Sequence, residues 1–123
     1  MIDYIELPCT DLSLTKTFYT AAFGWEWVEY GPTYAASTST GLEVALNAAA
    51  RVGPAHGPGE ENAIGPLVLF QTDDLGSVEA SVRSAGGDIV SPPYGYPGGR
   101  RFHFADPSGN VLGVYQRQPN PPS

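Results

Sequence analysis

The sequence predicts an α+β fold in which two βαβββ modules form a curved mixed sheet cup. The first observation is an internal repeat: Asp11-Leu12 lies thirteen residues before Gly24, and Asp74-Leu75 lies thirteen before Gly87, so the pattern recurs at an offset of 63 residues. The second is that apolar strand-like segments flank both stretches in the same order. The third is the length of 123 residues, which suits one domain. Because one module cannot bury both faces of its sheet, pairing two of them encloses a pocket.

The first module, residues 1–47, begins with a short strand that Pro8 ends, because proline cannot donate to a strand ladder. Thr10 or Asp11 then caps a helix, and apolar residues at helical spacing continue to Phe23 before Gly24 ends it. Three strands follow, separated by turns that contain glycine. Their predicted ranges are 25–30, 33–37 and 42–46.

A connector rich in glycine and proline, residues 48–65, leads to the second module, residues 66–118. This module repeats the order of elements, with a helix that Thr72-Asp73-Asp74 caps and Gly86-Gly87 ends. Its predicted strands are 66–71, 88–90, 100–105 and 110–116, with a loop over 91–99 and a turn over 106–109. The two modules make one domain over residues 1–118, and residues 119–123 are a tail.

The composition excludes several classes of partner. Six Lys and Arg residues stand against thirteen Asp and Glu, for a net charge of −7. This charge repels nucleic acids and anionic membranes. No apolar run approaches the ~18 residues of a membrane span, and no export signal is evident. The one cysteine, Cys9, rules out an internal disulfide and is expected to be a buried thiol, which together favour a cytoplasmic protein.

Several motifs occur in a recognisable order, namely the segments 5–12, 18–19, 23–25, 72–75, 85–87 and 104–110, followed by Tyr115. Together they resemble the motifs of the vicinal oxygen chelate superfamily, which includes glyoxalase I, bleomycin-resistance proteins, fosfomycin-modifying enzymes and extradiol dioxygenases. The resemblance covers residues 1 to about 118 and implies the glyoxalase-like fold, a small-molecule ligand and a homodimer. Whether the cup closes within one chain or across a dimer stays open.

The resemblance also indicates where a metal would bind, because metal-dependent members take one ligand from the first and one from the last strand of each module. Those positions fall on Tyr4, Ala45, Leu67 and Gly113. These residue types do not hold a divalent cation, and Glu43, two residues from Ala45, would supply only one carboxylate. The sequence therefore predicts no metal and no cofactor, and it disfavours a metal-dependent lactoylglutathione lyase or dioxygenase.

The same resemblance implies which side chains line the cup. Alternation along the strands places Glu6 inward with Tyr4, and relatives point the residues three and five positions before the Asp-Pro turn inward, here His103 and Arg101. Glu6 and His103 are the candidate catalytic acid and base. An ion pair of Glu6 with His103 or Arg101 that only fixes the sheet is the alternative. The candidate ligand-binding residues are Tyr4, Leu67, Leu69, Tyr94, Tyr96, Arg101 and Tyr115.

The loop that carries Tyr94 and Tyr96 is interpreted as a lid over a planar ligand or, equally, as an ordinary turn. The first hypothesis for function is a metal-free protein that binds a small, partly aromatic ligand in the cup, and the net negative charge favours a cationic one. The second is a metal-independent isomerase or lyase that uses Glu6 and His103. The third is a member that acts chiefly through protein contacts.

Overall fold

The computed structural model describes residues 2–39, 41–49 and 67–118. The elements follow the predicted order, βαβββ twice. They are β1 (Tyr4–Pro8), α1 (Leu12–Phe23), β2 (Val28–Glu29), β3 (Tyr34–Ser37), β4 (Glu43–Asn47), β5 (Leu69–Gln71), α2 (Leu75–Ser84), β6 (Asp88–Tyr96), β7 (Gly99–Ala105) and β8 (Val111–Arg117). Most of the predicted connector and the whole predicted tail lie outside the described residues.

Each module builds one four-stranded mixed sheet with the same topology. The strand orders are β1-β4-β3-β2 and β5-β8-β7-β6, and in each sheet only the first pair is parallel. The parallel pairing requires a long crossover, which the helix and the two intervening strands provide in each module. The predicted fold class is therefore confirmed.

The two helices begin where the repeat places them. The Asp11 side chain accepts a hydrogen bond from the Leu14 amide at 2.9 Å, and the Asp74 side chain accepts one from the Ser77 amide at 3.1 Å. These bonds satisfy amides that have no partner within the helix. Helix α1 ends at Gly24, whose φ of 74° lies in the left-handed region that glycine adopts without strain. None of the described helices is long and apolar enough to cross a membrane.

The core lies between the helices and one face of each sheet. It includes Phe18 and Tyr19 of α1 and, from β7, Phe102 and Phe104, which confirms that these two phenylalanines face the helices. Trp25 stacks on Tyr19 with ring centroids 4.6 Å apart. Cys9 is buried, as predicted, and burial raises the pKa of its thiol.

The modules are joined by hydrogen bonds around Asp106, in the turn before β8. The Tyr19 hydroxyl donates to Asp106 Oδ2 at 2.9 Å, so a residue of α1 is bonded to the second module. Asn110 Nδ2 donates both to Asp106 Oδ2 at 2.9 Å and to the carbonyl of Pro8 in β1 at 2.7 Å. Burial raises the pKa of Asp106, although the hydrogen bonds that it accepts act in the opposite direction.

Two predicted elements are wrong in extent. The segment 25–30 forms a strand only over Val28–Glu29, because Trp25 turns into the core and Trp27 donates its ring N–H to the Thr20 hydroxyl at 3.2 Å. The predicted loop over 91–99 is largely strand, since β6 runs to Tyr96 and pairs with β7.

The proline pair Pro92-Pro93 does not end β6. The register between β6 and β7 shifts on both sides of Ser91, which accommodates residues that cannot donate a ladder hydrogen bond. In addition, β6 is the edge strand of its sheet, so the N–H groups on its outer side have no strand partner. A proline at such a position removes no ladder hydrogen bond. Tyr94 and Tyr96 are therefore residues of a paired hairpin, and a lid role for this segment stays a prediction.

Candidate functional site

Each sheet has one face that packs on the core and an opposite face, called here the helix-distal face. In the first sheet Val44 and Leu46 belong to the core, so their neighbours Glu43, Ala45 and Asn47 lie on the helix-distal face. The register pairs Tyr4 with Glu43 and Glu6 with Ala45, which places both predicted site residues of β1 on that face. In the second sheet Phe102 and Phe104 face the core, so Arg101 and His103 lie on the helix-distal face.

On the first helix-distal face, polar side chains bond to one another. The Tyr4 and Tyr34 hydroxyls form a hydrogen bond, and Asn47 Nδ2 donates to Glu6 Oε2 at 3.4 Å. The hydrogen bond to Tyr4 is the main cause that raises the pKa of Tyr34, followed by burial and the neighbouring Glu6. Sequence reasoning missed Tyr34, whose alternation with Ala36 on a strand was the available signal.

On the second helix-distal face lies a group of four half-buried side chains, Tyr94, Tyr96, Arg101 and His103, called here the arginine–tyrosine cluster. The Arg101 guanidinium carbon lies 5.4 Å from the ring centroid of Tyr94 and 4.9 Å from that of Tyr96. Arg101 Nε donates to the Tyr94 hydroxyl. The same hydroxyl lies 3.3 Å from His103 Nε2, and the two rings meet edge to face.

The other predicted site residues of the second module lie in or just before strands β5 and β8 of the same sheet. A side chain added at Gly113 would collide with Leu69 and approach His103 Cδ2 to 3.2 Å, so the side chains of Leu69 and His103 lie beside Gly113. The Tyr115 hydroxyl accepts a hydrogen bond from Arg117 at 3.3 Å. Leu67 is half-buried just before β5.

Glu6 in β1 and His103 in β7 lie on different sheets. Glu6 contacts Asn47 and Tyr34 within the first sheet, and His103 contacts Tyr94 within the second. Within the described ranges the ion pairs are Lys16 with Glu29 and Arg83 with Glu79, so the alternative of a pair between Glu6 and Arg101 is wrong for these ranges. The catalytic roles of Glu6 and His103 stay predictions.

A groove of about 750 Å³ lies at the end of the β6–β7 hairpin, on the side of the second sheet that faces α2. Tyr96 lines it together with Arg100 and Arg117, and Leu75 and Gly76 form the side contributed by α2. The volume falls within the range of small-molecule sites, which is roughly 300–1,000 Å³. Sequence reasoning missed this groove because it depends on how the hairpin end and α2 meet in space.

Comparison with known proteins assigns the family. The family model described as the Glyoxalase/Bleomycin resistance protein/Dioxygenase superfamily matches residues 1–114. The chain belongs to this superfamily.

The proteins to which this chain is similar are described in different ways. The anthracycline biosynthesis protein DauV from Streptomyces sp. (strain C5) is 32% identical, over 93% of this chain and 46% of that protein, so the chain spans less than half the length of this relative. A glyoxalase-related enzyme from Fulvimarina pelagi superposes with a TM-score of 0.73 at 21% identity, covering 95% of this chain and 88% of that one. TnmS3, an antibiotic binding protein from Streptomyces sp. CB03234, superposes with a TM-score of 0.69 at 23% identity, covering 96% of both chains.

The metal that many superfamily members bind does not fit the residues at Ala45, Leu67 and Gly113, three of the positions where the resemblance places its ligands. Ala45 is fully buried between two core residues, and the space above Gly113 is occupied by Leu69. Neither residue offers a donor atom on a side chain, nor does Leu67. Throughout residues 2–39, 41–49 and 67–118, no group of three or more His, Cys, Asp or Glu side chains is placed to hold a metal ion.

Proposed function

We propose that this superfamily member is a metal-free small-molecule-binding protein whose ligand is a small, planar, partly aromatic compound. The observation that carries the proposal is the arginine–tyrosine cluster, in which two tyrosine rings and a guanidinium are held together on the helix-distal face of the second sheet. Tyrosine and arginine offer flat surfaces on which an aromatic ring can stack.

Two relatives support this proposal by what their names state. TnmS3 is an antibiotic binding protein, and DauV is an anthracycline biosynthesis protein, so planar polycyclic compounds are the natural ligand class to examine first. We propose in addition that the protein is cytoplasmic and homodimeric, without nucleic-acid or membrane partners. The net charge of −7 supports the last point, and the exposure of Tyr4, Val28 and Tyr30 on the first module supports an interface.

Binding of 2-naphthamide, a neutral planar probe, tests the proposal. We expect calorimetry to detect a complex in the presence of excess EDTA, because no metal takes part. Tyr94→Leu should weaken binding at least about fivefold through loss of the ring surface, whereas Leu14→Ala, which removes an exposed apolar side chain of α1, should leave it unchanged. The proposal fails if 2-naphthamide binds only after Zn²⁺ or Mn²⁺ is added, or if neither 2-naphthamide nor the corresponding acid, 2-naphthoate, binds at all.

A second candidate function is the metal-independent isomerase or lyase with Glu6 and His103 as acid and base. It is favoured by the hydrogen bond between His103 and Tyr94, which holds an imidazole beside the proposed ligand surface. For a compound that the protein converts, Glu6→Gln and His103→Gln should each lower kcat by roughly 100-fold or more with little change in ligand affinity. Unchanged turnover in both variants would exclude acid–base catalysis by this pair.

A further inference from the structure

The chemistry of the arginine–tyrosine cluster narrows the class of ligand, provided that the proposed function is right. Arg101 is half-buried, and within the described ranges no carboxylate lies within ion-pair distance of it. One of its five N–H donors, that of Nε, is used by the Tyr94 hydroxyl. The other four, on the two terminal nitrogens, form no hydrogen bond with the described residues.

The tyrosines fix the guanidinium without neutralising it. Tyr94 and Tyr96 each present a ring to Arg101, with its central carbon 5.4 and 4.9 Å from the two centroids. Such contacts hold the guanidinium in position but leave its terminal N–H groups, which point outward in the plane of the guanidinium, available for hydrogen bonds. A fixed, planar pair of N–H donors matches the two oxygens of a carboxylate.

Within the described ranges, Lys16 is the other half-buried lysine or arginine, and it has an acidic partner. Lys16, with a side chain about one-fifth exposed, pairs with Glu29, and the more exposed Arg83 pairs with Glu79. A cation that is withdrawn from water without an acidic partner loses solvation that only a counter-charge restores. An anionic group on the ligand is the counter-charge that Arg101 lacks.

We propose that the ligand is an aromatic acid, a planar ring compound whose carboxylate is bound by the terminal nitrogens of Arg101 while its ring lies against Tyr94 or Tyr96. This reverses the ligand charge that the net charge of −7 favours. Long-range repulsion slows the approach of an anion and is screened by salt, whereas the half-buried guanidinium acts at contact distance.

Three probes that share one ring system test the inference: 2-naphthoate, the neutral 2-naphthamide and the cationic 2-naphthylmethylammonium. At physiological ionic strength we expect 2-naphthoate to bind about tenfold more tightly than the amide, and the ammonium ion to bind more weakly than the amide. Arg101→Gln should abolish the preference for 2-naphthoate while leaving amide affinity within about threefold. Arg83→Gln, which removes the same charge from the surface of α2, should preserve the preference.

Two further variants, Arg101→Lys and Arg100→Gln, test whether the planar guanidinium of Arg101 itself is required. Arg101→Lys keeps the charge but not the planar fork, so it should retain only part of the preference, and it keeps the test valid if Arg101→Gln does not fold. Equal affinity for 2-naphthoate and 2-naphthamide overturns the inference and leaves the proposed function standing, whereas absence of binding by all three probes overturns both. Loss of the preference in Arg100→Gln but not in Arg101→Gln would place the anion in the groove beside α2 and overturn the assignment to Arg101.

Discussion

Asp106→Ala is expected to lower the free energy of unfolding by roughly 2 to 4 kcal/mol, which is a large effect for one side chain. Asp106 Oδ1 accepts hydrogen bonds from the amides of Ser108 and Asn110, both at 2.9 Å. Oδ2 accepts from the Tyr19 hydroxyl and from Asn110 Nδ2, also at 2.9 Å. Alanine leaves these donors without an acceptor at a site where Asp106 is 5% exposed.

The loss of stability should extend beyond the turn, because the Asp106 carboxylate links the two modules. Tyr19 belongs to α1, and Asn110 also donates to the carbonyl of Pro8, so removal of Asp106 loosens two elements of the first module. Urea unfolding at pH 7 measures the effect, and Asp73→Ala, at an exposed aspartate before α2, is the matched control with an expected change within about 0.5 kcal/mol. A loss below about 1 kcal/mol for Asp106→Ala would contradict the prediction.

The difference between wild type and Asp106→Ala should also depend on pH, in a direction fixed by the raised pKa. Burial, the largest cause, raises the pKa of Asp106 in the folded chain above its unfolded value of about 4. The folded state therefore favours the protonated carboxyl. This stabilising contribution is complete below about pH 4 and is lost as the pH rises through the folded-state pKa. The stability gap should narrow over that interval, and a gap that widens with pH would show that hydrogen bonds to the ionised form dominate instead.

The helices could be predicted from sequence because their signals are local. Asp11 and Asp74 each bond an amide three residues later, and Gly24 takes a left-handed conformation at the end of α1. A cap needs nothing from distant parts of the chain. The internal repeat at an offset of 63 residues supports both helix assignments, since the two caps occupy equivalent positions.

The extent of β6 could not be predicted because it depends on sheet order. Pro92-Pro93 is a strong local signal for a break, and only the position of β6 at the edge of its sheet makes the pair compatible with a strand. Edge position follows from how four strands pair, which no local pattern reveals.

The faces of the candidate site residues could be predicted from sequence, but the contacts between strands could not. Alternation within β7 places Arg101 and His103 on the face opposite Phe102 and Phe104, as the sequence predicts. The contact of Arg101 with Tyr94 depends on the hairpin register, which shifts twice before the two residues are paired. Alternation likewise predicts the face of the sheet on which Glu6 lies. It does not predict the distance from Glu6 to His103, because the two residues lie on different sheets.

The other large effect is expected for Gly99→Ala, at the first residue of β7. The φ of Gly99 is 145°, a conformation that costs an L-residue roughly 1–3 kcal/mol. A Cβ at this position would also collide with the carbonyl oxygen of Gln116 and lie 2.7 Å from the amide of Gln118. Both neighbours are backbone atoms of the paired segment, so no side-chain rotation relieves the overlap. We expect thermal and urea unfolding to show a loss of roughly 2 to 4 kcal/mol.

Gly95→Ala separates this effect from a general sensitivity of the hairpin. Gly95 lies in β6 opposite Arg100, its φ is not positive, and an added Cβ would meet the carbonyl of Gly99 at an ordinary 4.0 Å. Alanine there should be neutral or stabilise by up to about 1 kcal/mol, since glycine within a strand has the larger entropy loss on folding. Because Gly99 closes the turn that holds Tyr96 near Arg101, Gly99→Ala should also weaken 2-naphthamide binding, whereas Gly95→Ala should not. Equal stability of the two variants would show that the hairpin end shifts freely, and the cluster would then lack the fixed geometry on which ligand binding by Arg101 depends.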